Sequence, residues 1–238
     1  MTQTLVLIAV LVPCLVIAIV FHEVAHGYAA KMLGDSTASD KGRLTLNPIR
    51  HVDPVGTLLV PGALALVGGP VFGWAKPVPV NKYRLRNPRF GMMAVAAAGP
   101  GINFVLAFVG AVALGLAWVN GADFDTAQPG SPVLFSPAGE SLWLMSGLYF
   151  FILINLFLAL FNLLPIPPFD GSHVVAGLLP DKVRPYWERV QGLGIILFLG
   201  VIAYSWMFGT QWLLTVLGAP LMWLHDVYLG VAMAIAGV

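Results

Sequence analysis

Charged side chains are scarce in this chain of 238 residues: 10% are Asp, Glu, Lys or Arg, whereas 58% are hydrophobic. Soluble domains carry about 25% charged residues, so this composition excludes an ordinary soluble protein and indicates an integral membrane protein. The net charge of +1 gives no reason to expect a nucleic-acid partner. The polar connections between the apolar segments are too short to hold a soluble domain, and the sequence contains no internal repeat.

Cysteine is almost absent. Cys14 is the single cysteine of the chain, which excludes an intramolecular disulfide and a C-x-x-C metal or redox pair. The first 21 residues also lack the basic n-region and the A-x-A cleavage site of a signal peptide. The first apolar run is therefore expected to remain in the protein as a membrane helix.

Long apolar runs are what the sequence has instead. A helix needs about 20 predominantly apolar residues to cross a bilayer, and most of the runs are long enough. We therefore predict an all-α polytopic membrane protein with five to six transmembrane helices. The apolar segments cover roughly 5–33, 55–75, 91–119, 141–165, 191–217 and 219–237.

The distribution of basic residues predicts the topology. All twelve Lys and Arg lie in the stretches 31–50, 76–89 and 182–189, whereas 120–140 has none. The positive-inside rule places these three stretches in the cytoplasm and 120–140 outside. A full crossing by 55–75 would separate the first two stretches, and its Pro and Gly residues also favour a re-entrant segment, followed by a short β element before the 91–119 helix. An ordinary span is the alternative.

The pattern H-E-x-x-H is formed by His22, Glu23 and His26 at the end of the first apolar run. On a helix the two imidazoles lie one turn apart on one face, where they suit a tetrahedral zinc, and Glu23 can take a proton from water activated by the metal. Two satisfied core histidines beside a snorkelling glutamate are the structural alternative. Three ionisable groups within five residues of a membrane-length segment are costly without a partner, which favours the metal.

A catalytic zinc takes a third protein ligand and keeps one position open. Asp170 is the best candidate, because it follows a proline-rich helix end on the same predicted membrane face, and its charge with that of Glu23 balances the metal. His173 is the second candidate. Asn103 suits a helix-to-helix hydrogen bond or a catalytic role equally well, and Asn162 lies in a costly breaker-rich stretch that we expect to serve the site. Structural or surface roles are expected for two lone histidines, His51 and His225.

Three segments in this order, HEVAHGYAAKMLGD at 22–35, AGPGIN at 98–103 and FNLLPIPPFDG at 161–171, resemble the site-2 protease family of intramembrane zinc metalloproteases, and the small bacterial members in particular. The resemblance implies one Zn²⁺ per chain bound by His22, His26 and Asp170, with Glu23 as the general base. It also implies that Asn103 and Asn162 help to place the substrate.

The same resemblance implies a zinc endopeptidase that hydrolyses peptide bonds in or near the transmembrane segments of membrane-protein substrates. It would lie in the bacterial inner membrane with its active site toward the cytoplasm. We expect a single domain over 1–238, with a catalytic core over about 4–175 and accessory helices over about 190–238, and without the PDZ-like and regulatory domains of larger members. A metal or ion transporter with a buried His/Asp site is the alternative function, although no inverted repeat supports it.

Overall fold

A computed structural model describes residues 2–66, 73–124, 133–138 and 140–238 of the chain. Helices make up most of this part of the chain. Short 3₁₀ turns at Pro48–His51 and Lys82–Arg84 and a π-helical turn at Pro54–Leu59 lie between them. The α-helices are α1 (Thr2–Met32), α2 (Thr37–Asp40), α3 (Val60–Leu66), α4 (Pro88–Leu116), α5 (Trp143–Asn162), α6 (Asp170–Leu178), α7 (Arg184–Gly192), α8 (Gly194–Phe208) and α9 (Trp212–Ala236).

Four described helices are long and apolar enough to cross a membrane: Ile8–Met32, Pro88–Leu116, Trp143–Asn162 and Thr215–Ala236. The helices α7 and α8, bent by 61° at their junction, meet the same criterion when taken together, which gives up to five spans. The predicted class of an all-α polytopic membrane protein is confirmed. The described residues contain four or five candidate spans, so they provide no sixth one.

The apolar segment at 55–75 is interrupted, as its Pro and Gly residues predict. Its helical part, Pro54–Leu64, is shorter than a span, and residues 67–72 lie outside the described part of the chain. The N–H of Trp74 donates to the carbonyl of Gly56 at 3.1 Å, and the Thr57 hydroxyl donates to the carbonyl of Trp74 at 2.9 Å. The chain therefore returns beside the point at which it left, which is the geometry of a re-entrant segment.

The short β element predicted after this segment is not assigned as a strand in the described residues 73–84. The N–H groups of Trp74, Lys76 and Val78 bind three unrelated acceptors instead of a partner strand. Pro77 and Pro79 explain the difference, because proline removes the N–H donors that a β ladder requires. The described strands, β1 (Asp123–Phe124) and β2 (Leu134–Phe135), pair antiparallel elsewhere in the chain.

The described residues group into two compact units. One unit comprises Met1–Ala18, Asn103–Leu158 and Ala219–Val238, and its core is rich in alanine, which lets helices approach closely. The second unit comprises Ile19–Ile102 and Ala159–Gly218, with a small core of Ala30, Leu85 and Val95. The residues of the H-E-x-x-H pattern and Asp170 belong to the second unit. The expectation of a single functional domain stays a prediction.

The end of α5 places Asp170. The helix stops at Asn162, and the prolines that follow cannot continue it because they lack an N–H. The next helix, α6, begins at Asp170 itself. Gly171 lies against the carbonyl groups of Leu163 and Leu164, at a distance where a Cβ atom would collide with both. A glycine at this position therefore allows the tight connection that returns the chain to the end of α5.

Candidate metal centre

The structure brings together His22, His26 and Asp170. Among the described residues, these three form the one group of His, Cys, Asp or Glu side chains with ligand atoms close enough to share a metal ion. The Nε2 atoms of the two histidines are 3.1 Å apart, and they lie 3.1 Å and 3.3 Å from Oδ2 of Asp170. Both histidines are buried, and the Asp170 side chain is 20% exposed.

This triangle has the size that a tetrahedral zinc site requires. Zinc binds nitrogen and carboxylate oxygen at about 2.0–2.1 Å, so two ligand atoms of a tetrahedron lie about 3.3 Å apart. The three observed separations, 3.1, 3.1 and 3.3 Å, agree with this value. The donor set of two imidazoles and one carboxylate is also one that catalytic zinc uses, and three protein ligands leave the fourth position open.

The orientation of His26 is set by a backbone carbonyl on α4. Its Nδ1–H donates to the carbonyl of Val95 at 2.7 Å. The proton on Nδ1 leaves Nε2 of the neutral ring with a free lone pair, which faces Nε2 of His22 and Oδ2 of Asp170. His26 therefore offers no hydrogen to either atom, and its Nε2 is in the state that a metal ligand requires.

A glycine on α4 leaves room for both imidazoles. A Cβ atom at Gly99 would lie 2.5 Å from Cε1 and Nε2 of His26 and 2.6 Å from Cε1 of His22. Real side chains do not approach so closely, so the two rings occupy the space that a larger residue would fill. Gly99 thus forms one wall of the metal centre.

The electrostatics of Asp170 suit a ligand. Burial raises the pKa of its carboxyl, but the imidazoles of His22 and His26 outweigh this and hold the pKa far below its ordinary value. The carboxylate is therefore ionised at neutral pH, as a metal ligand has to be. Its position at the first residue of α6 also places it on a short helix, whose far end is held separately.

Arg89, in the first turn of α4, holds that far end of α6. Its Nε donates to the carbonyl of Gly177 at 2.9 Å, and its Nη2 donates to the carbonyl of Leu179 at 2.7 Å. Nη1 forms an ion pair with Asp181 at 3.0 Å. The guanidinium thus binds carbonyl groups at the end of α6 that have no helical partner, and it ties the helix of Asp170 to the helix that orients His26.

Glu23 lies next to His22 and is half-buried. Its Oε2 accepts a hydrogen bond from the N–H of Val78 at 2.8 Å. This contact links the candidate general base to the extended stretch that follows the re-entrant segment. The carboxylate is therefore held in place by backbone rather than by a flexible side chain.

The other candidate residues have the following places in the described part of the chain. Asn162 is the last residue of α5, in the same compact unit as the metal centre. Asn103 belongs to the other unit, where its Nδ2 donates to the carbonyl of Ala18 and to Oδ1 of Asn155. His173 lies in the first turn of α6 and is bonded to Gln191 instead of joining the ligand group.

The lone histidines have partners in the protein, as predicted. His51 is buried, and its Nε2–H donates to the carbonyl of Thr45 at 2.8 Å. His225 lies between Tyr149 and Asp226 in the first unit. Cys14 also belongs to that unit, and its thiol donates to the carbonyl of Gly147.

These observations define a polytopic membrane protein in which two histidines and one aspartate, beside a glutamate, form a group that could hold a metal ion. The family model of Peptidase family M50 matches residues 10–203. The chain therefore belongs to this family, the site-2 proteases, as the sequence predicted. It is a zinc metalloendopeptidase, and Zn²⁺ is its cofactor. The alternative of a transporter finds no support in these comparisons.

Proteins from distant organisms are similar to this chain. A Bacillus subtilis protein named "Putative zinc metalloprotease YwhC" is 41% identical over 190 residues, which cover 79% of this chain and 78% of that protein. Two others carry the same description. Rip2 of Mycobacterium tuberculosis is 29% identical over 207 residues (85% and 71% covered), and MJ0611 of Methanocaldococcus jannaschii is 32% identical over 180 residues (74% and 71% covered). No solved structure matches the chain significantly.

Several residues that shape the site have no signature in the sequence. Val95 contributes a backbone carbonyl, which any residue could supply, and Arg89 lies 88 residues from the carbonyl of Gly177 that it binds. Gly99 was visible as part of the small-residue stretch AGPGIN, although its contact with the imidazoles was not. The backbone N–H of Val78 likewise has no sequence signature, because any residue except proline could supply it.

Proposed function

We propose that this protein hydrolyses peptide bonds within or next to the transmembrane segments of membrane-protein substrates. In this proposal His22, His26 and Asp170 hold one Zn²⁺, and Glu23 is the general base. The observation that carries it is the convergence of three possible ligand atoms at 3.1–3.3 Å, two of them on an apolar helix of membrane-spanning length, with Glu23 next in sequence to His22.

Bound zinc supplies Lewis-acid chemistry, since it acidifies a water molecule in its open position and polarises a carbonyl oxygen. Glu23 takes a proton from the attacking water and delivers it to the leaving nitrogen. The hydrogen bond from Val78 fixes one oxygen of the Glu23 carboxylate, so the base needs little reorientation before proton transfer. The imidazoles of His22 and His26 are buried, and α4 packs against both rings at Gly99, which restricts their movement.

A helical substrate hides its carbonyl groups in internal hydrogen bonds, so a stretch of it has to unwind before cleavage. The extended residues 73–81 support a place for the unwound stretch. The N–H groups of Trp74, Lys76 and Val78 point into the protein, and alternate residues of an extended chain point the opposite way. Carbonyl groups therefore line the opposite edge, where no described residue donates to them: those of Ala75, Pro77 and Pro79. We propose that substrate N–H groups donate to these carbonyls.

Roles for two asparagines extend the proposal. Asn162 lies in the unit of the metal centre and eight residues before Asp170, which supports a part in placing the substrate. The hydrogen bonds of Asn103 to Ala18 and Asn155 support the structural alternative for that residue. The substrate role of Asn103 and Asn162 stays a prediction.

The proposed location is the bacterial inner membrane, with the metal centre toward the cytoplasm. The basic stretches 31–50, 76–89 and 182–189 support this orientation, because His22 and His26 precede the first of them and Asp170 precedes the third. A cysteine-accessibility map of 31–50 and 120–140 in intact cells would test it. Labelling of 31–50 by an impermeant reagent from outside would reject the orientation.

The experiment that tests the function uses the purified chain in lipid vesicles with a single-span test substrate whose transmembrane segment carries helix-breaking residues. Glu23→Gln should keep one zinc per chain and abolish cleavage, because the amide cannot accept the proton. Replacing His22, His26 or Asp170 by Ala should remove the zinc. Full activity of Glu23→Gln would reject the base, and retained zinc in Asp170→Ala would reject the third ligand.

A further outcome separates intramembrane cleavage from ordinary proteolysis. Cleavage confined to an unfolded soluble polypeptide, with the membrane substrate left intact, would overturn the intramembrane part of the proposal.

A further inference from the structure

A second set of ionisable side chains lies within a membrane-length helix. Across the four long described spans, Asp, Glu, His, Lys or Arg residues away from the helix ends occur at the metal centre and at His225 and Asp226 on α9. With a rise of about 1.5 Å per residue, Asp226 lies about 21 Å from the start of α9 and about 15 Å from its end. On a helix that crosses the membrane, this position is near mid-depth, from which an aspartate side chain does not reach either surface.

His225, unlike Asp226, is held inside the protein. His225 Nδ1–H donates to Oδ1 of Asp226 at 2.9 Å, and the Tyr149 hydroxyl donates to His225 Nε2 at 3.2 Å. The His225 side chain is 11% exposed, whereas the Asp226 side chain is 73% exposed. A carboxylate accepts about four hydrogen bonds, so Asp226 presents acceptor capacity to the outside of α9. Lipid tails have no donor to offer, and an ionised group there is costly.

The helix face around Asp226 carries a hydrogen-bond donor, and it has a small residue where another helix could approach closely. Trp223, one turn earlier, is 66% exposed and carries an indole N–H; Trp is enriched at membrane surfaces and not at mid-depth. A Cβ atom at Gly230, one turn later, would meet nothing within 4 Å. Ala219 and Ala234 extend the same exposed face by a turn at each end. Only 11% of the α9 span is buried, against 28–33% of the other three.

We propose that this face of α9 is a self-association surface, and that its occupant is a second copy of this chain. Two copies in one membrane share the same topology, so a two-fold axis along the membrane normal brings equal depths of α9 together. The face is self-complementary: Trp223 of each copy donates its indole N–H to Asp226 of the other, across a height difference of about 4.5 Å. Gly230 lets the two backbones approach, as small residues do between membrane helices.

The test uses the full chain in lipid vesicles, with donor and acceptor fluorophores on a carboxy-terminal tag. Energy transfer is measured as the lipid-to-protein ratio is raised. The wild-type chain should show transfer above the level of random collision. Asp226→Leu and Gly230→Leu should each weaken association about three- to tenfold, because one removes the interhelical acceptor and the other blocks the approach.

Gly200→Leu on α8 is the matched control, since Gly200 is also exposed and a Cβ atom there meets nothing within 4 Å. This variant should associate like the wild type. Zinc content identifies any variant that fails to fold, and Gly230→Leu decides if Asp226→Leu does not retain its zinc. Random-level transfer in the wild type, or wild-type association in folded Gly230→Leu, would overturn the proposal.

Discussion

The Glu23 carboxylate accepts a hydrogen bond at 2.8 Å from the N–H of Val78, a residue 55 positions later in the chain. Val78 is buried and lies between Pro77 and Pro79, which have no N–H to offer. The candidate base and the extended stretch are therefore mechanically coupled. A peptide that displaced the stretch would therefore also change the position of the Glu23 carboxylate.

Removing this N–H should slow catalysis without removing the metal. Val78→Pro deletes the donor to Glu23, and we expect kcat to fall about ten- to a hundredfold because the base loses its fixed orientation. Val78→Ala is the control, since it deletes most of the side chain but keeps the N–H. Both variants should retain one zinc per chain. Equal kcat values for the two variants would show that the hydrogen bond has no part in catalysis.

A methyl group at Gly99 should disturb the metal centre directly. In Gly99→Ala the new Cβ atom has to displace the imidazoles of His22 and His26, so we expect zinc affinity to fall about ten- to a hundredfold. Gly101→Ala, two residues along α4, adds the same methyl group where nothing lies within 4 Å. Competition with a zinc chelator measures both. Unchanged affinity in Gly99→Ala would mean that the rings are less confined than the structure indicates.

The Arg89 contacts should stabilise the helix that carries Asp170. Arg89→Gln removes charged hydrogen bonds to the carbonyls of Gly177 and Leu179, which should lower the free energy of unfolding by about 1–3 kcal/mol. Weaker zinc binding should accompany it, because the far end of α6 is released.

Arg184→Gln separates these effects from the ion pair. Arg184 also contacts Asp181, at 3.3 Å, but the structure shows it in ion pairs with Asp181 and Glu188 alone. Its replacement should therefore cost less than about 1 kcal/mol and leave zinc affinity unchanged. Equal losses of affinity in Arg89→Gln and Arg184→Gln would contradict a specific role for Arg89.

Asp35 should make the stability of the protein fall in acid. Burial raises the pKa of this carboxyl, but hydrogen bonds from Thr37 and the N–H of Asn81 outweigh it and hold the pKa below its ordinary value. A carboxyl with a depressed folded pKa stabilises the folded state above its unfolded pKa, about 3.9, and loses this effect as the pH falls through the folded value.

Asp35→Asn should therefore lower Tm at neutral pH and flatten its decline below about pH 4. Asp40→Asn is the control, because the Asp40 side chain is 60% exposed. Thermal unfolding in mild detergent over this pH range measures both. A decline as steep in Asp35→Asn as in the wild type would rule out Asp35 as its source.

The structure brings together the three candidate ligands that the sequence predicted, because their signals are local or follow from the predicted topology. His22 and His26 are one turn apart on a helix that the apolar run predicts, and the charge distribution predicts that Asp170 lies at the same membrane face. The hydrogen bond from Trp74 to Gly56 agrees with the re-entrant segment at 55–75 on which that predicted topology rests.

The features that the sequence did not reveal depend on tertiary contacts. The carbonyl of Val95 and the N–H of Val78 belong to the backbone, so no residue type marks them. The predicted β element is not assigned in the described residues 73–84, because Pro77 and Pro79 outweigh the strand preference of Val78 and Val80. The backbone groups of this stretch still point alternately to opposite sides, although no partner strand pairs with them in the described residues.

Pro77 and Pro79 have one more effect. From Pro77 to Pro79 the outward edge carries carbonyl groups and no amide hydrogens, so it cannot pair with an identical stretch, since acceptors would face acceptors. These two prolines therefore lower the tendency of neighbouring molecules in one membrane to join here into intermolecular sheets, the hazard that unpaired edges usually carry. The exposed carbonyl groups can still accept hydrogen bonds from the N–H groups of a different polypeptide.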